Sequence, residues 1–158
     1  ALPIYTYFFQ NISETKDKIA FCQTVDKGPG FDEPVIRVLQ KSQLTSVATS
    51  NPKPSHDKEF LAYDPVGSED KSLSLPKDGR TTVYALTFVT CANDDQLYIA
   101  TSIGLIVFYS NLTKSKNLHD KPENPFVFSG LTSNSPNVYI SHYTGEIEKI
   151  IFVVKVHS

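Results

Sequence analysis

Short runs of apolar residues, rich in β-branched and aromatic side chains, recur along the whole chain. Ten prolines and many Ser, Asn, Asp and Gly residues separate these runs. β-Branched and aromatic residues favour strands, whereas Pro and Gly mark turns and interrupt helices. The pattern therefore predicts an all-β chain with no helix. The twelve predicted strands are 4–9, 18–24, 35–40, 44–49, 59–64, 72–75, 82–90, 96–101, 105–109, 126–131, 137–142 and 146–156.

One segment repeats at a spacing of 41 residues. Residues 96–106 read QLYIATSIGLI and residues 137–147 read NVYISHYTGEI, with Tyr, Ile, Gly and Ile at equivalent positions. Fainter copies of the opening begin at Lys18 and Glu59, so that the four copies follow one another at spacings of 41, 37 and 41. Another predicted strand precedes each copy. The sequence thus indicates one domain, 1–158, made of four repeats at about 1–42, 43–79, 80–121 and 122–158.

Repeats of about 40 residues with several strands each are typical of the blades of β-propellers. A single antiparallel sheet of this size has two faces and needs neighbours to cover them. A radial arrangement of four such sheets provides this cover. Gly104 and Gly145 fit the hairpin corners, where a positive φ favours glycine. We therefore expect a small four-bladed β-propeller, with a β-sandwich or a β-trefoil as the alternative.

Composition narrows the class of partner. The chain has 158 residues, a mass of 17.6 kDa and 40% hydrophobic residues, as expected for a globular domain. Its net charge of −2 argues against a nucleic-acid partner, since such proteins carry a basic surface. The longest uninterrupted apolar run, 150–154, is too short to span a bilayer, so no membrane insertion is expected.

Several features favour secretion. The chain begins at Ala1 and contains no Met, as after removal of a signal peptide, although trimming of an initiator Met has the same result. The sequons at Asn11 and Asn111 are glycosylation acceptors in a secreted protein. Cys22 and Cys91 allow one disulfide or two half-buried thiols on separate strands. We expect a secreted glycoprotein and leave the pairing of the cysteines open.

The hairpin from Val138 to Glu148 resembles the blade hairpin of the fungal fucose-binding propeller lectins, whose pattern ends in Gly-x-Ile-x-Glu. The run Ile36-Arg37-Val38 is similar to the run whose arginine contacts sugar in that family. The resemblance implies a propeller fold, a carbohydrate ligand and a sugar-binding role for Arg37. This chain has no Trp for the family's stacking platform, and its acid stands one residue early, at Glu148.

The side chains themselves suggest where a sugar would bind. A sugar ring has an apolar C–H face and a rim of hydroxyl groups, so its site needs an aromatic platform beside polar groups. Tyr143 with His142 and Glu148 offers this combination at a predicted turn, and Tyr63 beside Asp64 offers it again. By contrast, Tyr98 and Tyr139 share one repeat position, and we expect both to be core residues with a tethered hydroxyl.

No catalytic motif is present in the sequence. The four histidines lack metal-site spacing, and there is neither a Gly-x-Ser-x-Gly elbow nor a Gly-rich phosphate loop. We therefore expect no enzyme activity, no metal and no cofactor. The sequence favours a secreted carbohydrate-binding lectin that is a monomer or dimer and recognises a carbohydrate or glycoprotein. The alternative is a secreted protein-interaction module, either an effector or an inhibitor.

Overall fold

Antiparallel strands dominate the computed structural model, which describes residues 11–26, 32–47, 60–62, 71–73, 75, 81–118 and 128–151. The predicted all-β class is confirmed, and the described residues include a single turn of 3₁₀ helix, Lys41–Gln43. Within these residues the strands are β1 (Ile12–Glu14), β2 (Lys18–Asp26), β3 (Asp32–Gln40), β4 (Thr45–Val47), β5 (Phe60–Ala62), β6 (Lys71–Leu73), β7 (Val83–Cys91), β8 (Asp94–Thr101), β9 (Gly104–Tyr109), β10 (Lys114–Asn117), β11 (Phe128–Asn134), β12 (Asn137–His142) and β13 (Ile147–Ile151). No helix in the described part is long and apolar enough to cross a membrane.

The strands form four sheets. The N-terminal sheet has the order β1-β2-β3-β6, the central sheet β10-β9-β8-β7, and the C-terminal sheet β11-β12-β13. A small sheet pairs β4 with β5. In the three larger sheets the first strand along the chain lies at one edge and the following strands are added in order. In the described ranges these sheets form a stack, without closure into a ring.

The structure differs from the predicted strands at three places. The strands β1 and β10 were not expected, because they are short and contain few apolar residues. The strand β6, which the sequence places in the second repeat, pairs with β3 of the N-terminal sheet instead. The predicted strand 4–9 lies outside the described residues, whereas β12 has the predicted bounds.

Both faces of the central sheet are buried, and this fixes the order of the stack. On one face Leu86, Leu97 and Ile99 pack in a cluster with Ala20 and Ile36 of the N-terminal sheet. The opposite face forms a second cluster with the C-terminal sheet, which includes Tyr98, Leu105, Leu131, Val138 and Ile140. Complete burial of an Ile or Leu side chain contributes about 1.5–3 kcal/mol, so these two interfaces dominate the stability of the described core.

The first strands of the three large sheets lie side by side, with β7 between β1 and β11. Side chains from both neighbours bind the free edge of β7. The Phe88 N–H donates to Ser13 Oγ at 2.9 Å, and Ser133 Oγ donates to the Phe88 carbonyl at 2.7 Å. Thr87 Oγ1 lies 2.9 Å from Ser133 Oγ and completes the group. An edge that would otherwise present unpaired backbone groups is thereby satisfied.

A largely buried ion pair joins the N-terminal and central sheets. Lys18 Nζ lies 2.5 Å from Asp95 Oδ2, while Thr90 Oγ1 donates to Asp95 Oδ1 at 2.7 Å. The side chains of Lys18 and Asp95 are only 22% and 12% exposed. Burial alone would lower the pKa of Lys18, but the hydrogen bond and the charge of Asp95 outweigh it and raise that pKa. The lysine is therefore charged at neutral pH, and each partner compensates the buried charge of the other.

We expect Asp95→Ala to lower the free energy of unfolding by about 3 kcal/mol, since it leaves the ammonium group of Lys18 buried without its main partner. Thermal unfolding followed by circular dichroism should show a melting temperature roughly 6–12 °C lower. Asp17→Ala is the matched control, because the Asp17 carboxylate lies 3.6 Å from the same ammonium but is 63% exposed. Equal melting temperatures of the Asp95→Ala and Asp17→Ala proteins would contradict this account.

Candidate functional site

The turn between β12 and β13 holds three of the predicted site residues. The His142 N–H donates to the Glu146 carbonyl at 2.8 Å, so that Tyr143, Thr144 and Gly145 form a three-residue hairpin loop. Gly145 closes the loop with a φ of +95°, a conformation that L side chains rarely adopt. Tyr143 at the start of the loop is 80% exposed. The loop thus presents an aromatic ring to solvent on a hydrogen-bonded hairpin.

His142, the residue before Tyr143, lies close to Glu148 of β13. His142 Nε2 is 2.9 Å from Glu148 Oε1, across the base of the hairpin. The histidine side chain is 17% exposed and the glutamate side chain 39% exposed. The carboxylate thus lies within ion-pair distance of the imidazole and is partly accessible to solvent.

A shift in strand pairing produces this contact. In the central sheet Ile99 pairs with Ile106, but its repeat counterpart Ile140 pairs with Glu148 instead of Ile147. The C-terminal hairpin is thus offset by one residue relative to the repeat. Because neighbouring side chains in a strand point to opposite faces, a one-residue offset exchanges the faces of β13. Glu148 and Ile150 consequently share the face of Val138 and Ile140, and Ile147 points away from the central sheet.

The arrangement suits the recognition of a polar ring. An exposed tyrosine ring can stack against the apolar face of a sugar, and an adjacent carboxylate can accept hydrogen bonds from its hydroxyl groups. Loops held on a rigid sheet are common positions for binding residues. The described residues contain no group of three His, Cys, Asp or Glu side chains that could hold a metal ion.

The other predicted sugar-binding residues are not brought to this turn. Arg37 lies on the N-terminal sheet, and its neighbours Ile36 and Val38 are the ones that face the central sheet. Its Nε donates to Gln23 Oε1 at 2.7 Å. Tyr63 and Asp64 lie outside the described residues.

The two tyrosines at the shared repeat position differ in burial. Tyr98 is 3% exposed and donates from its hydroxyl to Gln96 Oε1 at 3.0 Å, which confirms the predicted core position. Burial raises the pKa of its phenol. Tyr139 is half-buried, on the face of the C-terminal sheet that points away from the central sheet. The equivalent face of the central sheet is covered by the C-terminal sheet.

The predicted modification sites also differ from one another. Asn111 is exposed in a turn, with its N–H donating to Asp94 Oδ1 at 2.8 Å. Asn11 is half-buried, and its Oδ1 is buried with no hydrogen-bond partner in the described part of the chain. Cys22 is a free thiol, so the structure takes the alternative without a Cys22–Cys91 disulfide. Burial raises the pKa of the Cys22 thiol.

A second concave feature lies where the first strands meet. We call it the inter-strand cleft: it has a volume of about 460 Å³ and lies between β1, β7 and β11. Its lining combines hydroxyl groups, aliphatic side chains and one carboxylate. The lining residues are Ile12, Ser13, Glu14, Ile19, Thr87, Phe88, Thr132 and Ser133.

Sequence reasoning missed every residue of this cleft. It placed the first strand of the first repeat at 4–9, whereas Ile12–Glu14 occupies that place beside β7. One signal was available: each of β1, β7 and β11 contains a small hydroxyl residue, namely Ser13, Thr87 and Ser133. Such residues are common in this chain, so the signal is visible only once the strands are aligned.

No family model, no curated protein and no solved structure matches the chain. The function is therefore inferred from the geometry of the chain's own residues.

We expect Gly145→Ala to lower the free energy of unfolding by about 1 kcal/mol, because a Cβ at this φ is strained even though no atom lies within 4 Å of it. Gly145→Asn should cost less, since Asn tolerates positive φ better than Ala. Chemical denaturation of the two variants measures the difference. Equal losses of unfolding free energy in the two variants would show that the positive φ does not determine which residues are tolerated at position 145.

Burial disfavours the thiolate of Cys22, which is the form that reacts with iodoacetamide. In a Cys91→Ser variant at pH 8, we therefore expect Cys22 to react roughly tenfold more slowly in the folded protein than in the protein unfolded in guanidinium. The raised pKa also predicts the sign of a pH effect. The unfolded chain releases the proton first, so the stability from this group is complete below the ordinary thiol pKa and is lost as pH rises through the folded value. Equal alkylation rates before and after unfolding would contradict the burial of this thiol.

Proposed function

We propose that the protein is a secreted, non-enzymatic carbohydrate-binding protein, a monomer or dimer, whose sugar site is the turn between β12 and β13. The proposal rests on Tyr143, which is 80% exposed and directly follows, in sequence, the histidine of the His142–Glu148 pair. An aromatic ring that is accessible to solvent offers a sugar an apolar face to stack on, and nearby polar groups offer hydrogen-bond partners for its hydroxyl groups.

In this proposal each side chain has a separate task. Tyr143 stacks on the apolar face of a sugar ring. Glu148 accepts hydrogen bonds from sugar hydroxyl groups through its solvent-reaching carboxylate, and the His142 imidazole lies 2.9 Å from that carboxylate. The hydrogen-bonded hairpin fixes the turn in advance, which reduces the entropy lost when the ligand binds.

We also propose that the three large sheets are blades of a propeller-like arrangement. Two features support this: the sheets pack face to face in chain order, and their first strands β1, β7 and β11 lie side by side. In a propeller the first strand of each blade lines the central axis. Repetition of a scaffold also multiplies weak sites, and several millimolar contacts can together give useful avidity.

Secretion is supported by the position of Asn111. Its sequon lies in an exposed turn, where a glycan would not displace core residues. The half-buried position of Asn11 makes it the poorer acceptor of the two. We therefore place the glycan of the secreted protein at Asn111.

A protein-interaction role is the second candidate, and one surface favours it. On β13, Ile147 and Ile151 are 72% and 57% exposed and flank Lys149 on the face away from the central sheet. A partner that fits this surface would present aliphatic side chains around a carboxylate. A lectin should leave a glycoprotein column with free sugar, whereas an interaction protein should stay bound to its polypeptide.

We expect Tyr143→Ser to weaken binding to the best ligand of a glycan array by at least about tenfold, corresponding to a loss of roughly 1.4 kcal/mol when the stacking platform is removed. Tyr143→Phe should keep most of the affinity, because it retains the ring. Glu148→Gln should also weaken binding, since it removes a charged acceptor.

Leu61→Ala is the control for this series, since Leu61 is an exposed apolar residue on the small sheet. A blank glycan array with the folded parent protein would refute the carbohydrate proposal. Loss of binding in the Leu61 variant to the same degree as in Tyr143→Ser would also count against it.

A further inference from the structure

The inter-strand cleft is a second concave feature, separate from the β12–β13 turn. The edge of β7 at Thr87 and Phe88 forms its floor, with β1 on one side and β11 on the other. At about 460 Å³ it falls within the range of pockets that hold small molecules. None of the turn residues His142, Tyr143 and Glu148 lines it.

Most polar groups at the floor of the cleft already form hydrogen bonds with one another. Ser133 donates to the Phe88 carbonyl, and Thr87 lies 2.9 Å from Ser133 Oγ. These groups are therefore committed to holding β11 against β7. They give the cleft a fixed shape and contribute little directional bonding to a ligand.

The rim, in contrast, keeps capacity for a ligand. Ser13 accepts the Phe88 N–H at 2.9 Å, which leaves its own O–H to donate into the cleft. Thr132 is exposed on the opposite side and can both donate and accept. Glu14 binds Lys41 Nζ through Oε2 at 2.7 Å, so among the described residues its Oε1 has no partner.

The charge balance of the rim selects the class of ligand. The hydrogen bond and the charge of Lys41 lower the pKa of the exposed Glu14 carboxyl, so Glu14 is an ionised acceptor at neutral pH. Lys41 also neutralises it, so a cation gains little here, and none of the described residues that line the cleft is basic and could attract an anion. The remaining surface is the aliphatic Ile12, 61% exposed, and the half-buried Ile19.

We infer that the inter-strand cleft binds a small neutral polyhydroxylated ligand of the size of one monosaccharide. Glu14 Oε1 accepts from ligand hydroxyl groups, Ser13 and Thr132 exchange hydrogen bonds with them from opposite sides, and Ile12 covers an apolar C–H face. The inference does not need the turn site, so a protein with both sites would bind two sugars per chain.

The test is a titration of ¹⁵N-labelled full-length protein, followed by NMR, with L-fucose, D-galactose, D-mannose and N-acetyl-D-glucosamine. We expect at least one of these sugars to shift the amide signals of Phe88 and Ser133 with a dissociation constant on the order of millimolar. Glu14→Gln and Thr132→Val should each weaken that response at least about fivefold. Thr132→Val preserves the branched shape and removes only the hydroxyl group.

Matched controls separate a lost ligand contact from a general effect. Asp17→Asn removes an exposed carboxylate that does not line the cleft, and Thr45→Val removes a hydroxyl group from the exposed strand β4. Both should leave the response at Phe88 and Ser133 unchanged. Tyr143→Ser should also leave the cleft response unchanged, whereas the amide signals of the turn residues should no longer respond to sugar.

Several results would overturn the cleft site. One is the absence of any sugar-induced shift at Phe88 and Ser133 in the folded protein, whether or not the turn signals respond. Another is loss of the cleft response in Tyr143→Ser, which would reduce the two sites to one. A response that survives both Glu14→Gln and Thr132→Val would likewise refute the assigned contacts. Shifts at the cleft with silent turn residues would support the cleft and count against the turn as a lectin site.

Discussion

The central sheet has two apolar faces, and the described architecture depends on covering both. Leu86, Leu97 and Ile99 on one side and Leu105 on the other are each essentially inaccessible to water. A sheet of this kind is not stable alone, because an uncovered face would lose about 25 cal/mol for each Å² left in water. The N-terminal and C-terminal sheets are therefore held on opposite sides of it by the same physical requirement.

This requirement also explains the position of the inter-strand cleft. Three sheets that pack face to face bring their first strands together, and among the described residues β1 contributes only three residues beside β7, without a backbone ladder to it. Serine hydroxyl groups replace the missing ladder partners at Phe88. Side chains occupy less room than a strand, so an opening remains between β1 and β11. The cleft thus follows from satisfying a strand edge with side chains.

The sequence predicted the parts of the fold that have long apolar runs. The strands β2, β3, β7, β8, β9 and β12 were expected near their observed positions, and the 41-residue repeat correctly related β8 to β12. It missed Ile12–Glu14 and Lys114–Asn117, since short strands with few apolar residues carry no periodic signal and exist only because a neighbouring strand pairs with them. The pairing of β6 with β3 could not be predicted from the sequence either, because a strand of three residues carries too little pattern to specify its neighbour.

The turn between β12 and β13 also shows that the sequence did not predict the exact register of strand pairing. The side chains at the predicted turn indicated His142, Tyr143 and Glu148 as site residues, yet the repeat aligned Ile147, not Glu148, with the strand position opposite Ile140. The loop between β12 and β13 has three residues, whereas the equivalent loop between β8 and β9 has two. This difference shifts the strand pairing by one residue and exchanges the faces to which the side chains of β13 point. That exchange moves Glu148 to the side of His142 and leaves Ile147 and Ile151 in solvent. One residue of loop length thus creates both the polar pair beside Tyr143 and the apolar face behind it, so the two surfaces of the C-terminal sheet have a common origin.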